Sequence, residues 1–308
     1  MNATCLTRGT AGAFWAALAV GTSPLRSPLA AQDPLGGELW RVVGVTVPVP
    51  YALAQGSTAS FWNPAQRVTA PALAGDVIQT PDAIAASGLL AVIRTGSGRL
   101  GSWGLELGQV DIGDIIRTSL TPDPEGTVPV YTRVVGLTWA LTRGSTSVGA
   151  TVGGHDSRLD QSDVQHWTAD VGVVERLGDV LTLAAATHFF YRFTTSDPSQ
   201  DLYAAVEWRA WHGPLWTGSG DAALRLRYGA TLAHGAGTDH EVGLGFDLGS
   251  LVAVDGMLVR ENTYGNIAWR GVAGFHVLIG RYGVTFARDA GVNDVGSSYR
   301  VGLEWRLQ

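Results

Sequence analysis

Apolar and polar residues alternate with a period of two along most of the chain. At the C-terminus Tyr299, Val301, Leu303, Trp305 and Leu307 alternate with Arg300, Gly302, Glu304, Arg306 and Gln308. The same pattern sets Leu224, Leu226, Tyr228, Ala230 and Leu232 against Arg225, Arg227, Gly229 and Thr231, and Leu202, Ala204, Val206 and Trp208 against Tyr203, Ala205, Glu207 and Arg209. Val242, Leu244, Phe246 and Leu248 likewise interleave with Glu241, Gly243, Gly245 and Asp247. Successive side chains of a strand point to opposite faces, so each segment has one apolar and one polar or glycine-rich surface. Further strands are predicted at 86–94, 100–112, 130–142, 145–154, 165–175, 180–192, 250–260, 266–278 and 279–288. Turn chemistry separates them: Thr121-Pro122-Asp123-Pro124-Glu125-Gly126, Arg143-Gly144, Ser196-Asp197-Pro198, His234-Gly235-Ala236-Gly237 and Asn262-Thr263-Tyr264-Gly265-Asn266.

These are thirteen segments after residue 85, mostly long enough for a tilted transmembrane strand of about 9–11 residues. Single-chain bacterial barrels have an even strand count, and the stretch 39–47 offers a fourteenth strand. A soluble sandwich also alternates, but a large apolar face on nearly every strand would be redundant inside one small core. Tryptophans near predicted strand ends (Trp103, Trp139, Trp167, Trp208, Trp211, Trp216, Trp269 and Trp305) suit the aromatic belts of a membrane interface. The expected fold is therefore all-β: a closed antiparallel transmembrane β-barrel of 12–14 strands, most simply 14. The repeated unit is the hairpin, and no internal linker interrupts it.

Composition agrees. Only 16 % of residues are charged, against about 25 % in an average soluble domain, while 45 % are hydrophobic. That balance excludes intrinsic disorder. All 21 basic residues are arginine, and the net charge of −6 gives no clustered positive footprint for nucleic acid. The N-terminus reads as an address. Arg8 precedes the apolar run Ala11–Val20, then Pro28-Leu29-Ala30-Ala31, the order of a secretory signal peptide cleaved after Ala31. Cleavage there removes Arg8, Arg26 and Cys5 but no acid, so the mature chain is more acidic and has no cysteine. Disulfides and thiolate-bound metals are thereby excluded.

One segment ahead of the array carries family character. Ala54-Gln55-Gly56-Ser57-Thr58-Ala59-Ser60-Phe61-Trp62-Asn63-Pro64-Ala65 is a small-residue run ending in aromatic-Asn-Pro-Ala. Pro64 fixes its own φ and steers Asn63 away from helix, and the Asn side chain can bond nearby backbone in a turn. The segment resembles the run near the mature N-terminus of the FadL-like family of outer-membrane barrels, which includes long-chain fatty acid transporters and PorV-type proteins. Phe61, Trp62, Asn63, Pro64 and Ala65 bear the match. The resemblance implies a 14-stranded barrel whose N-terminal segment folds inward as a hatch. The chain then divides into a leader (1–31), a hatch (32–84) and a barrel (85–308). It also implies uptake of hydrophobic compounds such as fatty acids, with a PorV-type partner-docking role or a general diffusion porin as alternatives. The chain departs from the pattern in its shorter length and in ending at Leu307-Gln308 rather than an aromatic residue.

Catalytic chemistry is not legible. The seven histidines (155, 166, 188, 212, 234, 240 and 276) have no metal-binding spacing, and no nucleophile elbow or phosphate loop occurs. His155-Asp156-Ser157 reads as a solvated loop, and His234 with His240 as a hairpin tip. The expectation is a non-enzyme without cofactor or metal. Its partners are outer-membrane lipid, an apolar small-molecule cargo and, in the docking alternative, a secreted protein. Inward charges are the better site candidates: Glu207, Arg209, Arg225, Arg227, Glu241, Asp247, Arg300, Glu304 and Arg306. Facing charges of both signs would pair and fill the lumen, whereas a one-signed patch would set selectivity and an arginine cluster could hold a carboxylate. Glycines at inward positions (Gly136, Gly229, Gly243, Gly245 and Gly302) leave room for a plug or a ligand.

Overall fold

The computed structural model describes residues 46–67, 70–81, 85–113, 115–118, 125–192, 199–215, 220–233, 237–263, 266–291 and 296–307. Fourteen strands follow one another: β1 (Ala72–Gln79), β2 (Ala86–Arg94), β3 (Ser102–Ile112), β4 (Val130–Arg143), β5 (Thr146–Leu159), β6 (Ser162–Leu177), β7 (Leu181–Arg192), β8 (Ser199–Pro214), β9 (Asp221–Ala233), β10 (Thr238–Leu248), β11 (Val252–Thr263), β12 (Asn266–Ile279), β13 (Tyr282–Asp289) and β14 (Ser298–Arg306). Each pairs antiparallel with its neighbours in sequence, and β1 pairs with β14, from Ala72 opposite Arg306 to Gln79 opposite Tyr299, closing the barrel. Closure leaves no strand edge, which a lipid environment requires.

The period of two sorts the side chains as expected. Leu73, Val77, Leu89, Leu107, Val135, Leu137, Val152, Val242, Leu244, Leu258 and Leu303 face outward and form an exposed apolar band. Trp103, Trp208, Trp211, Tyr282 and Trp305 border it at one end, and Trp167, Trp269 and Tyr299 at the other. These belts and the closed wall make this a transmembrane barrel of the outer-membrane type. The first end also receives the close of β14. By the rule that such barrels keep their short turns on the periplasmic side, it is the periplasmic end. The opposite end carries the longest connection, 113–129.

The first strand corrects the sequence reading. The fourteenth strand is β1 at Ala72–Gln79, inside the segment assigned to the hatch, and not 39–47, most of which lies outside the described residues. The leader at 1–31 also lies outside them. The physical reason is the inner face of β1. Ile78 is buried there with Ala59, Phe61 and Trp62, and Ala72 and Ala74 share that face, so Asp76 is its one polar residue and the alternation is blurred. The barrel thus begins before residue 85. His155-Asp156-Ser157 is a second correction, because it lies within β5 rather than in a loop, with His155 and Ser157 buried on the inner face. His240 sits on β10 and bonds outward to Tyr228, while His234 is outside the described residues.

Residues 46–67 occupy the lumen. Two short 3-10 turns, Tyr51–Leu53 and Ser57–Phe61, pack respectively against β7–β9 and against β1 and β2. Gly56 between them has φ +86°, a conformation that favours glycine over residues bearing a Cβ.

Candidate functional site: the hatch seam and the cavity beside it

A segment inside a barrel must satisfy its own backbone polar groups, since no ladder is available to it. Here local bonds do most of this. Leu53 N–H donates to Pro50 O (2.8 Å), Trp62 N–H to Ala59 O (3.0 Å), Asn63 N–H to Ala59 O (2.9 Å) and Gln66 N–H to Asn63 O (3.2 Å). Asn63, fully buried, ties the segment to itself. Its amide donates to Ala52 O (2.8 Å), and its side-chain oxygen accepts from Ala65 N–H (3.0 Å). Gln66 adds a second donor to Ala52 O (2.9 Å). This is the polar-satisfied turn that Asn63-Pro64-Ala65 implied, and it joins the two halves of the hatch.

The wall receives that turn on glycine. A Cβ at Gly149 of β5 would overlap the Pro64 carbonyl and the Ala65 nitrogen, and one at Gly172 of β6 would overlap the Asn63 side-chain oxygen. At Gly229 of β9 it would stand 2.6 Å from Pro50, and at Gly274 of β12 2.9 Å from Pro48. Of the inward glycines singled out from sequence, only Gly229 meets the hatch. Gly245 and Gly302 instead make room for ion pairs, because a Cβ would strike the Arg227 guanidinium and Asp255 at the first and Asp76 at the second. Gly136 clears Thr151 and Glu106, and Gly243 stands against Arg227. Which glycines touch the hatch is set by tertiary packing and leaves no mark in the strand pattern.

Polar side chains complete the seam. His188 of β7 lies with one ring nitrogen 2.9 Å from Trp62 O and the other 3.0 Å from Asp170 of β6. Ser60 bonds Glu106 of β3, which also accepts from Thr138. The Tyr51 N–H bonds Glu241 of β10, and its hydroxyl bonds Arg270 of β12. Burial pushes the Tyr51 phenol well above its ordinary pKa. Tyr51 also stacks on Trp62 (5.2 Å between centroids) and tilts against Tyr203 (5.1 Å), which in turn meets His188 (4.9 Å). Aromatic pairs of this kind contribute about 0.5–1.5 kcal/mol each beyond their burial.

On the other side of the lumen the charges pair with one another. Arg227 donates to Glu207 (2.6 Å) and to Asp255, while Arg225 bonds Asp247 and reaches Glu207 at 3.5 Å. Arg300 bonds Asp76 and lies 3.4 Å from the Thr58 hydroxyl of the hatch. Arg306 donates to Glu304 (2.7 Å) at the periplasmic mouth. Arg270 is held by Glu261 and Asp289. Eight of the nine charges named from sequence lie on this inner face. Arg209 is the exception: it sits exposed beside the bulge of β8 between Arg209 and Trp211. The sequence reading did not single out Asp76, Arg94, Glu106, Asp170, His188, Asp255 or Arg270. The inward parity of their strands was the signal that could have found them.

Two spaces remain. One is water-sized, about 20 Å³, ringed by Phe61, Glu106, Thr151, His155, Thr168, Asp170 and His188. The other is a cavity of about 400 Å³ between the hatch and the wall formed by β1 and β9–β14. The hatch gives it Val47, Val49 and Trp62 together with Gln55 and Thr58; the wall gives it Leu251, Phe275 and Leu278 together with Asp76, Arg225, Asp247, Asp255, Arg300 and Glu304. Its volume falls within the roughly 300–1,000 Å³ of small-molecule sites, and its lining mixes apolar side chains with convergent polar groups as such sites do. Among the described residues no cluster of His, Cys, Asp and Glu is arranged to hold a metal.

No protein-family model matches the chain, and no curated protein matches it by sequence. Solved structures do. The Ralstonia pickettii toluene transporter TbuX is 12 % identical, with 82 % of this chain and 94 % of that one covered and a TM-score of 0.51. The Pseudomonas putida toluene transporter TodX (11 % identity, 81 % and 92 % covered, TM-score 0.48) and the Acinetobacter baumannii outer membrane protein Omp33 (8 %, 78 % and 98 %, 0.44) are also similar. At these identities the likeness concerns the fold. The 14-stranded barrel that the Phe61–Ala65 segment implied is the fold found.

Proposed function

We propose that this barrel is an outer-membrane channel for hydrophobic small molecules, exported by its N-terminal leader and closed by residues 46–67 acting as a hatch. The observation that carries the reading is the pairing of a hatch seated on glycines with a 400 Å³ half-apolar cavity beside it. A solute resting against Val47, Val49 and Trp62 would leave when the hatch shifts, with no bond made or broken. TbuX and TodX, whose fold is similar, are toluene transporters, which is compatible with an apolar cargo. The hatch in the lumen argues against a general diffusion porin, since a water-filled pore needs an open path. Arg225, Asp247, Arg300, Glu304 and Arg306 then serve as the polar wall of the cavity, with Glu207 and Arg227 bracing it from behind.

The test is uptake of a radiolabelled apolar solute by cells with and without the protein. Faster uptake with the protein is expected, and equal uptake overturns the reading. Mild extraction that retains a secreted protein rather than a small apolar molecule would favour the docking role instead.

A further inference from the structure

We propose that His188 is the latch of the hatch: a positioning residue that, as an imidazolium, holds the Trp62 carbonyl to the barrel wall through Asp170. The proposal rests on reading residues 46–67 as a hatch. Its basis is geometric. One ring nitrogen faces Trp62 O at 2.9 Å and the other faces an Asp170 oxygen at 3.0 Å. A carbonyl oxygen cannot donate, and a carboxylate cannot either, so both nitrogens must carry protons to make both bonds. A neutral ring has one N–H. Whichever bond it keeps, it turns a lone pair toward the other oxygen.

Other polar groups surround the ring. Asp201 of β8 lies near the ring, and Glu106 of β3 and His155 of β5 face it across the water-sized cavity. Tyr203 tilts against it. The one charged side chain of the hatch is Arg67 at its end, and the hatch group that meets the ring is the neutral Trp62 carbonyl. The cavity ringed by Glu106, His155, Asp170 and His188 has room for about one water beside the ring. The latch is therefore fully made where the ring is doubly protonated, and it is lost as pH rises through the ring's titration. Tyr51, the one titratable group between Thr46 and Gln66, stays neutral over that range because burial raises it.

The experiment is conductance of the full-length protein in planar bilayers between pH 6 and pH 10. Gly172→Val serves as a hatch-displacing control, and circular dichroism verifies that each variant is folded. Wild type is expected to open at least tenfold more often at pH 10 than at pH 6. Asp170→Asn should stay closed at both pH values, because its amide N–H donates to a neutral ring whose other nitrogen still donates to Trp62. His188→Ala should open at both. An Asp170→Asn variant that keeps the wild-type pH profile overturns the latch. So does a His188→Ala variant that stays closed while Gly172→Val opens. If Gly172→Val also stays closed, the hatch reading itself fails and the latch falls with it.

Discussion

The two sides of the lumen are built by different rules. Toward β3–β7 the hatch lies directly on the wall, seated on Gly149 and Gly172 and joined by Ser60–Glu106 and Trp62–His188. Toward β9–β14 it touches the wall at Gly229 and Gly274 and through Tyr51, but between those points it stands off, and the wall is braced by Arg225, Arg227 and Arg300 with their carboxylates beside a cavity of about 400 Å³. Close packing needs absent side chains, because one extra carbon would overlap the Asn63 turn. An open space needs side chains that do not collapse into it, and a guanidinium held by two carboxylates is fixed in place. The first device closes the lumen, and the second keeps a room in it.

The largest effect is expected on the braced side. Arg227 is fully buried and serves Glu207 and Asp255 together. Arg227→Met removes the nearer cation from two carboxylates, leaving them Arg225 at 3.5 Å from Glu207 and 3.8 Å from Asp255; breaking a buried pair costs about 3–5 kcal/mol, and the lower end of that range is expected. Chemical unfolding from detergent micelles measures it. Combining Arg227→Met with Glu207→Gln and Asp255→Asn should recover much of the loss, since the two carboxylates are then neutral amides. If Arg227→Met is as stable as wild type, the cluster does not brace the wall and the contrast between the sides collapses.

Next comes the seated side. Gly172→Val inserts side-chain atoms where the Asn63 side-chain oxygen stands, and overpacking costs about 1–3 kcal/mol. Here the expected loss falls on the hatch rather than on the barrel. Amides of residues 51–65 should exchange faster with deuterium, while those of β10–β12 stay protected. Equal loss of protection in both regions would mean that hatch and wall form one cooperative unit.

How far the sequence reaches follows the same division. The wall was legible because lipid imposes one rule on every strand: the segment 86–94 read from alternation is β2, Ala86–Arg94, and each of the other segments read after residue 85 matches a strand. β1 escaped because its inner face, packed in part on the hatch, is Ala72, Ala74, Asp76 and Ile78, and one polar residue in four does not make a visible alternation. The bracing charges were legible as inward parity, apart from Arg209 at the rim, where the β8 bulge shifts the register. The seam was not. Gly149, Gly172 and His188 look like any other inward residues of their strands, and only contact with a segment more than 80 residues away in the chain gives them a task.

Asn63 tests whether the hatch holds itself together or is held by its seat. Asn63→Ala removes the donor to Ala52 O and the acceptor for Ala65 N–H. A buried polar group left unsatisfied costs about 1–3 kcal/mol, and Gln66 still bonds Ala52 O, so the lower part of that range is expected. Deuterium exchange should quicken at 51–54 as well as at 61–65, because the bond joins the two halves. Quickening at 61–65 alone would assign the hatch's cohesion to its glycine seat.

The smallest effect belongs at the mouth of the cavity, where bracing gives way to solvent. Arg306 donates to Glu304 with more than a third of its side chain exposed. An ion pair so screened contributes about 0–1 kcal/mol, so Arg306→Gln should leave the unfolding midpoint nearly unchanged. The same substitution removes one positive charge beside Glu304 at the periplasmic opening. In a barrel whose hatch has been displaced by Gly172→Val, it should shift the reversal potential toward cations. Stability lost on the scale of Arg227→Met would place Arg306 in the braced wall. A reversal potential that does not move would separate the mouth from the path that solutes take.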